Sequence, residues 1–265
     1  MFRKTGILAA GMAALGAVLV PGIAAAAEGP TPYVIGGHDA TEDYSFMVSL
    51  QQGGRHFCGG SLISEDWVVT AAHCVQGARP EQIRTRIGAR QHNSGGTETG
   101  VSRIIVHPDF GGEKPSGGDI ALVRLDKPVT EQPIKIAEAL GDAGTATRIL
   151  GWGEHCVEQN CGAPEILQEL DTKVMPAEKC RDVATGKEIC TGSDTPDAMG
   201  CYGDSGGPQI KGRPGEWELV GATSRDGDTD PKCASGLGIW TDVTVYRDWI
   251  AEQQASSSNQ GSTVA

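Results

Sequence analysis

Short apolar runs recur along the chain: "SFMVSL", "WVVTAA", "QIRTRIG", "VSRIIVH", "DIALVRL", "TATRILGWG", "LQELDTKVM", "WELVGATS" and "GIWTDV". Glycine-rich or polar stretches separate them. Several short strands with frequent turns predict an all-β sandwich or barrel. One α-helix is predicted over residues 245–254, where Tyr246, Trp249 and Ile250 share a face. The closing stretch "ASSSNQGSTVA", residues 255–265, is small and polar and predicts a flexible tail. The first residues follow another pattern. Arg3 and Lys4 precede an apolar run over residues 7–20, then come Pro21 and small residues up to Ala27. That order predicts a secretory signal peptide over residues 1–27. The run is short for a bilayer span and is diluted by Gly11 and Gly16. Only one arginine stands before Lys4, so a twin-arginine signal is not evident.

Composition narrows the picture. The 265 residues suffice for one large domain or two small ones. The net charge is −12; residues 1–33 carry Arg3 and Lys4 against Glu28, so a chain starting at Val34 stands at −13. An acidic exported protein gains no electrostatic help in binding nucleic acid or an anionic membrane, so neither is expected as a partner. The eight cysteines, in an exported chain, predict four disulfides, although spacing leaves their connectivity open. No C-x-x-C or H-E-x-x-H occurs, and "RIGARQHNSGGTE" lacks the spaced carboxylates of a calcium loop, so no metal is expected.

The candidate chemistry lies in three stretches. "GCYGDSGGPQ" sets Ser205 between an aspartate and two glycines; turn-forming residues alone would make this a plain loop. A nucleophilic serine needs a base near neutrality, an acid to orient that base, and N–H donors for the oxyanion. His73 in "VVTAAHC" and Asp119 at the mouth of "DIALVRL" supply the first two types. The chain order is His, Asp, Ser. "GDSGG" also fits G-x-S-x-G, but an α/β-hydrolase wants the order Ser, Asp, His, and the β-rich pattern argues against it.

"TAAHC", "DIALVRL", "GWG" and "GDSGGP", in this order, resemble the chymotrypsin family of serine proteases, with greatest likeness to exported trypsin-like proteases of actinobacteria. The likeness runs from Val34 to the final helix. It implies two six-stranded antiparallel β-barrels with the site between them, meeting near residues 125–140, and a C-terminal α-helix. The protease domain would span residues 34–254. It implies His73, Asp119 and Ser205 as the catalytic triad, the N–H groups of Gly203 and Ser205 as the oxyanion hole, and Ser224 as support for Asp119. "YVIGGHDA" resembles the family's activation site, which implies a pro-segment of residues 28–33, cleavage before Val34, and pairing of the new amine with Asp204. His56 matches a position that holds this aspartate in some zymogens. The resemblance also implies the pairs Cys58–Cys74, Cys180–Cys190 and Cys201–Cys233, leaving Cys156–Cys161 as a local bridge.

The specificity pocket departs from the trypsin pattern. Met199 stands where trypsins carry an aspartate, six residues before the serine. Gly200 and Gly238 match wall positions and leave space. Arg225 and Asp226 fall where the family commonly has Trp-Gly, so Asp226 could narrow the entrance or attract a basic side chain. An apolar floor favours Met, Leu, Phe or Tyr before the cleaved bond over Arg or Lys. The resemblance implies a secreted, monomeric endopeptidase that needs no cofactor. Its partners would be protein or peptide substrates and protein inhibitors. The alternative is a catalytically silent homologue that binds a partner.

Overall fold

The structure, a computed structural model, describes residues 1–2, 34–112, 117–154, 162–230, 232–233 and 236–260. The chain divides into a unit Met1–Pro30, in which only Met1 and Phe2 are described, and a unit Thr31–Ala265, which holds all the elements below. The expected signal peptide and pro-segment therefore lie almost wholly outside the described residues. Among the described residues no helix is long and apolar enough to cross a membrane.

Among the described residues, fourteen strands and two α-helices follow in chain order. The strands are β1 (His38–Asp39), β2 (Met47–Gln52), β3 (Arg55–Ser64), β4 (Trp67–Thr70), β5 (Arg84–Ile87), β6 (Thr97–Val106) and β7 (Ala121–Leu125), with α1 (Ala72–Val75) after β4. Then come β8 (Lys135–Ile136), β9 (Ala146–Gly151), β10 (Gln168–Val174), β11 (Glu188–Gly192), β12 (Pro208–Lys211), β13 (Glu218–Asp226), β14 (Gly238–Asp242) and α2 (Arg247–Gln260). The order β2-β3-β4-β7-β6-β5 closes into one barrel. The order β9-β10-β11-β14-β13-β12, returning to β9, forms the other. All pairings within both barrels are antiparallel, as the expected fold requires.

Alternation puts apolar residues inside. Along β5, Thr85 and Ile87 are buried while Arg84 is exposed, the period of two that a strand with one core-facing side dictates. Met47, Leu62, Val68, Ile87 and Leu122 fill the first barrel; Ile149, Leu170, Ile189, Val220 and Trp240 fill the second. After β7 the chain leaves the first barrel, and β8 pairs in parallel with β13 of the second.

Strands β1, β3, β8, β11 and β12 lie outside the apolar runs that predicted the others. β3 carries Gly59 and Gly60, which look like turn residues in a sequence. Their reason is close approach: a Cβ at Gly59 would stand 2.7 Å from Gly207 Cα, and one at Gly60 would stand 2.8 Å from a Val68 methyl. The C-terminal helix also corrects an expectation. It runs to Gln260, so the tail expected to be flexible from residue 255 is helical up to that point. The serine hydroxyls find partners within the helix, with Ser256 Oγ donating to Glu252 O and Ser257 Oγ to Gln253 O. Ser257 is buried, and its Oγ accepts from Arg103 of β6 at 3.1 Å.

Candidate active site

β4 ends at Thr70, and Ala71 and Ala72, both without exposure, carry the chain into α1. The bridge Cys58–Cys74 ties α1 to β3, which holds the neighbouring His73 over the barrel mouth. Asp119 sits just before β7, and Thr241 Oγ1 donates to its carbonyl at 2.8 Å. The Asp119 carboxylate accepts on both oxygens. Oδ1 takes the His73 backbone N–H at 3.0 Å; Oδ2 takes His73 Nδ1 at 2.8 Å and Ser224 Oγ at 2.6 Å. Burial pushes the Asp119 carboxyl up, but the hydrogen bonds and charge of His73 and the Ser224 hydroxyl outweigh it and hold the carboxyl below its ordinary range.

Ser205 is pinned between the barrels. Its carbonyl accepts from Gly59 N of β3 at 2.8 Å, and Gly206 N donates to Thr223 O of β13 at 2.8 Å. Gly206 has φ +73°, and a Cβ there would meet Thr70 Oγ1 at 2.1 Å, so no other residue fits this turn. Ser205 and His73 open on the same cavity. Among the described residues they are not hydrogen-bonded to each other; the contact of His73 Nε2 is Cys74 Sγ at 3.7 Å. Such bonds are often long in the absence of substrate. Gly203 has φ +100°, and no described residue accepts from the N–H of Gly203 or of Ser205. Two unpaired donors beside a serine hydroxyl can bind a developing oxyanion.

Asp204 points the other way. Its fully buried carboxylate accepts from Gly153 N at 2.8 Å and Cys201 N at 2.9 Å, and burial pushes its pKa up to about 6. Val34 and Ile35 are buried in the second barrel, and Met199 N donates to Ile35 O at 3.0 Å. His56 does not hold Asp204. Its ring bridges Ser49 Oγ at 2.9 Å and Gly203 O at 3.0 Å, and burial pushes its pKa down to about 4. The imidazole is spent on the carbonyl of the residue before Asp204.

The cavity beside Ser205 has a volume of about 460 Å³. Met199, Gly200, Leu237, Gly238, Trp240 and the bridge Cys201–Cys233 line it, as do Tyr202, Arg225, Asp226 and Lys232. Gly238 is required by packing: a Cβ there would stand 2.4 Å from the Trp240 ring. Asp226 is exposed, with Oδ1 accepting from Asp228 N at 3.2 Å. Burial, with the charges of Asp228 and Asp230, raises its carboxyl pKa. The pair Cys180–Cys190 closes the loop before β11. Cys156 and Cys161 lie outside the described residues. Among the described residues the one group of three close metal-ligand side chains is Cys58, His73 and Cys74, whose two sulfurs are bonded to each other.

Two groups at the site escaped the sequence reading. Gly153, the last residue of "GWG", donates its N–H to Asp204, a role its sequence setting does not announce. Glu188 binds Arg225 through both carboxylate oxygens. Its signal was an acid opening the stretch "EICTG", ahead of residues of high strand preference.

A family-wide sequence profile described as Trypsin matches residues 34–250. The chain is similar to a protein named Trypsin from Sarcophaga bullata, 34% identical over 82% of this chain and 87% of the relative. It is similar to a bacterial Trypsin from Saccharopolyspora erythraea, 33% identical over 83% of this chain and 97% of the relative. A vitellin-degrading protease of Bombyx mori is 32% identical over 83% of this chain and 84% of the relative.

Proposed function

The chain belongs to the trypsin family of serine endopeptidases, and we propose that His73, Asp119 and Ser205 carry out its peptide-bond hydrolysis. Its substrates are proteins or peptides. The observation that carries the assignment is the His73–Asp119 hydrogen bond of 2.8 Å on the cavity that Ser205 faces. With its Nδ1–H donating a hydrogen bond to Asp119, His73 presents Nε2 as the base. Ser205 Oγ attacks the scissile carbonyl carbon as His73 takes the hydroxyl proton. The carbonyl oxygen, now negative, is held by the N–H groups of Gly203 and Ser205. The imidazolium returns the proton to the leaving amine, and water cleaves the acyl-enzyme by the same route. Asp119 stays ionised throughout and steadies the imidazolium.

The precursor is inactive and cleavage before Val34 activates it. The support is energetic: Asp204 is a buried carboxylate with no cationic partner among the described residues, and a buried charge needs one. A free amine at Val34 supplies it and orders Gly203 next door. The cavity takes a Leu, Met, Phe or Tyr side chain before the cleaved bond, since Met199, Leu237 and Trp240 offer apolar surface and Asp226, the one acid bordering it among the described residues, is exposed. The protein is secreted as a monomer, in keeping with three disulfides among the described residues. Protein inhibitors that fill the same cavity are its other expected partners.

The test is a cleavage profile. A form starting at Val34 is given a diverse peptide library, with Ser205→Ala as control, and a fluorophosphonate probe reports the serine. Cuts after Leu, Met, Phe or Tyr that vanish in the control are expected. Cuts after Arg or Lys would overturn the pocket reading. An unlabelled serine without any cuts would leave the silent homologue as the better account.

A further inference from the structure

Arg225, in the cavity wall, belongs to an ion pair that the reaction scheme above does not use. Glu188 opens β11, and its side chain is 1% exposed. Arg225, on β13, meets it with both ends of its fork, Nη1 to Oε1 at 2.6 Å and Nη2 to Oε2 at 2.8 Å. Ala184 N donates to Oε2 at 2.7 Å, and Arg225 Nη2 also donates to Asp182 O at 2.9 Å. Arg225 keeps 31% of its side chain exposed on the cavity while Glu188 is desolvated, so screening on one side and desolvation on the other make the pair a poor source of stability. Its geometry, however, is rigid.

That rigidity reaches the proposed triad through one hydroxyl. The pairing of β13 with β14 slips between Thr223 and Arg225, leaving Ser224 as the bulged residue. A bulge re-aims side chains. Ser224 Oγ is thereby turned onto Asp119 Oδ2 at 2.6 Å, with Arg225 Nη1 behind it at 3.5 Å. A guanidinium can only donate. A hydroxyl that receives from it keeps its single proton for the other side. We propose that Arg225, clamped by Glu188, is a positioning residue that fixes the direction of the hydrogen-bond chain Ser224–Asp119–His73. Ser224 is then always the donor to Asp119, Asp119 is acceptor only, and His73 carries its proton on Nδ1 with Nε2 free toward Ser205. The inference rests on the protease reading of this site for its purpose, and on geometry alone for its existence.

The clamp also balances charge. Arg225 favours the Asp119 anion and disfavours a proton on His73; Glu188 does the opposite. Removing one partner unmasks the other. Asp226, Lys232 and Tyr202 face the same cavity. On the far side of Asp119, Lys187 lies against Gly117, Asp109 against Gly118, and His107 and Tyr246 pack together nearby. All of these are common to the variants below and cancel in the comparison.

The experiment is an NMR titration of His73 in the chain carrying Ser205→Ala, which cannot digest itself and needs no substrate. Glu188→Gln lowers the His73 midpoint by about half a pH unit or more, Arg225→Met raises it by a similar amount, and the double variant returns it to within about 0.2 of the parent. The Nδ1 proton exchanges faster in Arg225→Met, where the Ser224 hydroxyl is free to turn. Arg225→Lys keeps the charge and loses the fork, so it holds the midpoint while speeding exchange. It also carries the test with Glu188→Gln should Arg225→Met not fold. Midpoints that stay together in both single variants, or move in the same direction, would overturn the proposal. A chain that titrates as expected, while the Val34 form with Ser205 cuts no peptide, would sink the protease reading and leave the clamp standing.

Discussion

At the scale of the residue, Asp204 sits in full burial with two backbone N–H groups as its partners among the described residues. Burial raises its carboxyl from 3.8 to about 6. The folded state therefore keeps this proton to higher pH than the unfolded chain does. Stability tied to the protonated carboxyl is present below about pH 4 and is lost as pH rises through about 6. The rise corresponds to about 3 kcal/mol set against the folded state at neutral pH. An amine at Val34 offsets that cost. Thermal unfolding of the uncut Ser205→Ala chain is thus expected to weaken between pH 4 and 7, whereas the form starting at Val34 weakens much less. The same pH dependence in both forms would mean that the amine does not reach Asp204.

At the scale of the element, α2 shows how a polar sequence becomes ordered. Residues 255–260 have little apolar surface of their own. They are helical where Ser257 docks onto the first barrel, through Arg103 Nη1 at 3.1 Å and with Arg124 Nη1 3.5 Å from its carbonyl. Ending the chain after Gln254 removes these bonds and the last helical turns. The expected cost is about 1 kcal/mol, or a melting point about 3 °C lower, with peptide cleavage unchanged because the segment does not line the cavity. An unaltered melting point would show that the docking is too exposed to count. The glycines of β3 make the complementary case. They sit in a strand because Gly207 and Val68 leave no room for a side chain.

At the scale of the whole molecule, the proposed nucleophile is held by both barrels, through Gly59 of one and Thr223 of the other. The chain as a whole is acidic, with a net charge of −13 when it starts at Val34. A long-range field of that sign draws cationic substrates toward the protein, and salt weakens it. Peptides carrying lysines away from the cleaved bond should lose kcat/KM several-fold between about 0.01 and 0.15 M salt, as the Debye length falls from about 30 to 8 Å. Their uncharged counterparts should not. Equal salt dependence for both peptides would rule out steering by the net charge.

The strand-rich architecture was legible because apolar runs of strand length separated by turns leave few alternatives. The candidate triad was legible because His73, Asp119 and Ser205 each sit in a short, distinctive local setting, and local settings are written in consecutive residues. Tertiary structure alone decided the rest. The partners of Asp204, the turning of His56 onto Gly203 O, the helical order beyond residue 254 and the clamp of Glu188 on Arg225 all join residues distant in the chain or depend on docking. The acid in "EICTG" is unremarkable in a linear reading, and Arg225 stands out there only as a departure from the family's Trp-Gly, with no sign of a partner. They become a pair only when β14, between β11 and β13, brings the two strands into one barrel wall. Hydrogen bonds and ion pairs depend on distances of a few ångströms, and the fold, rather than the spacing along the chain, sets those distances.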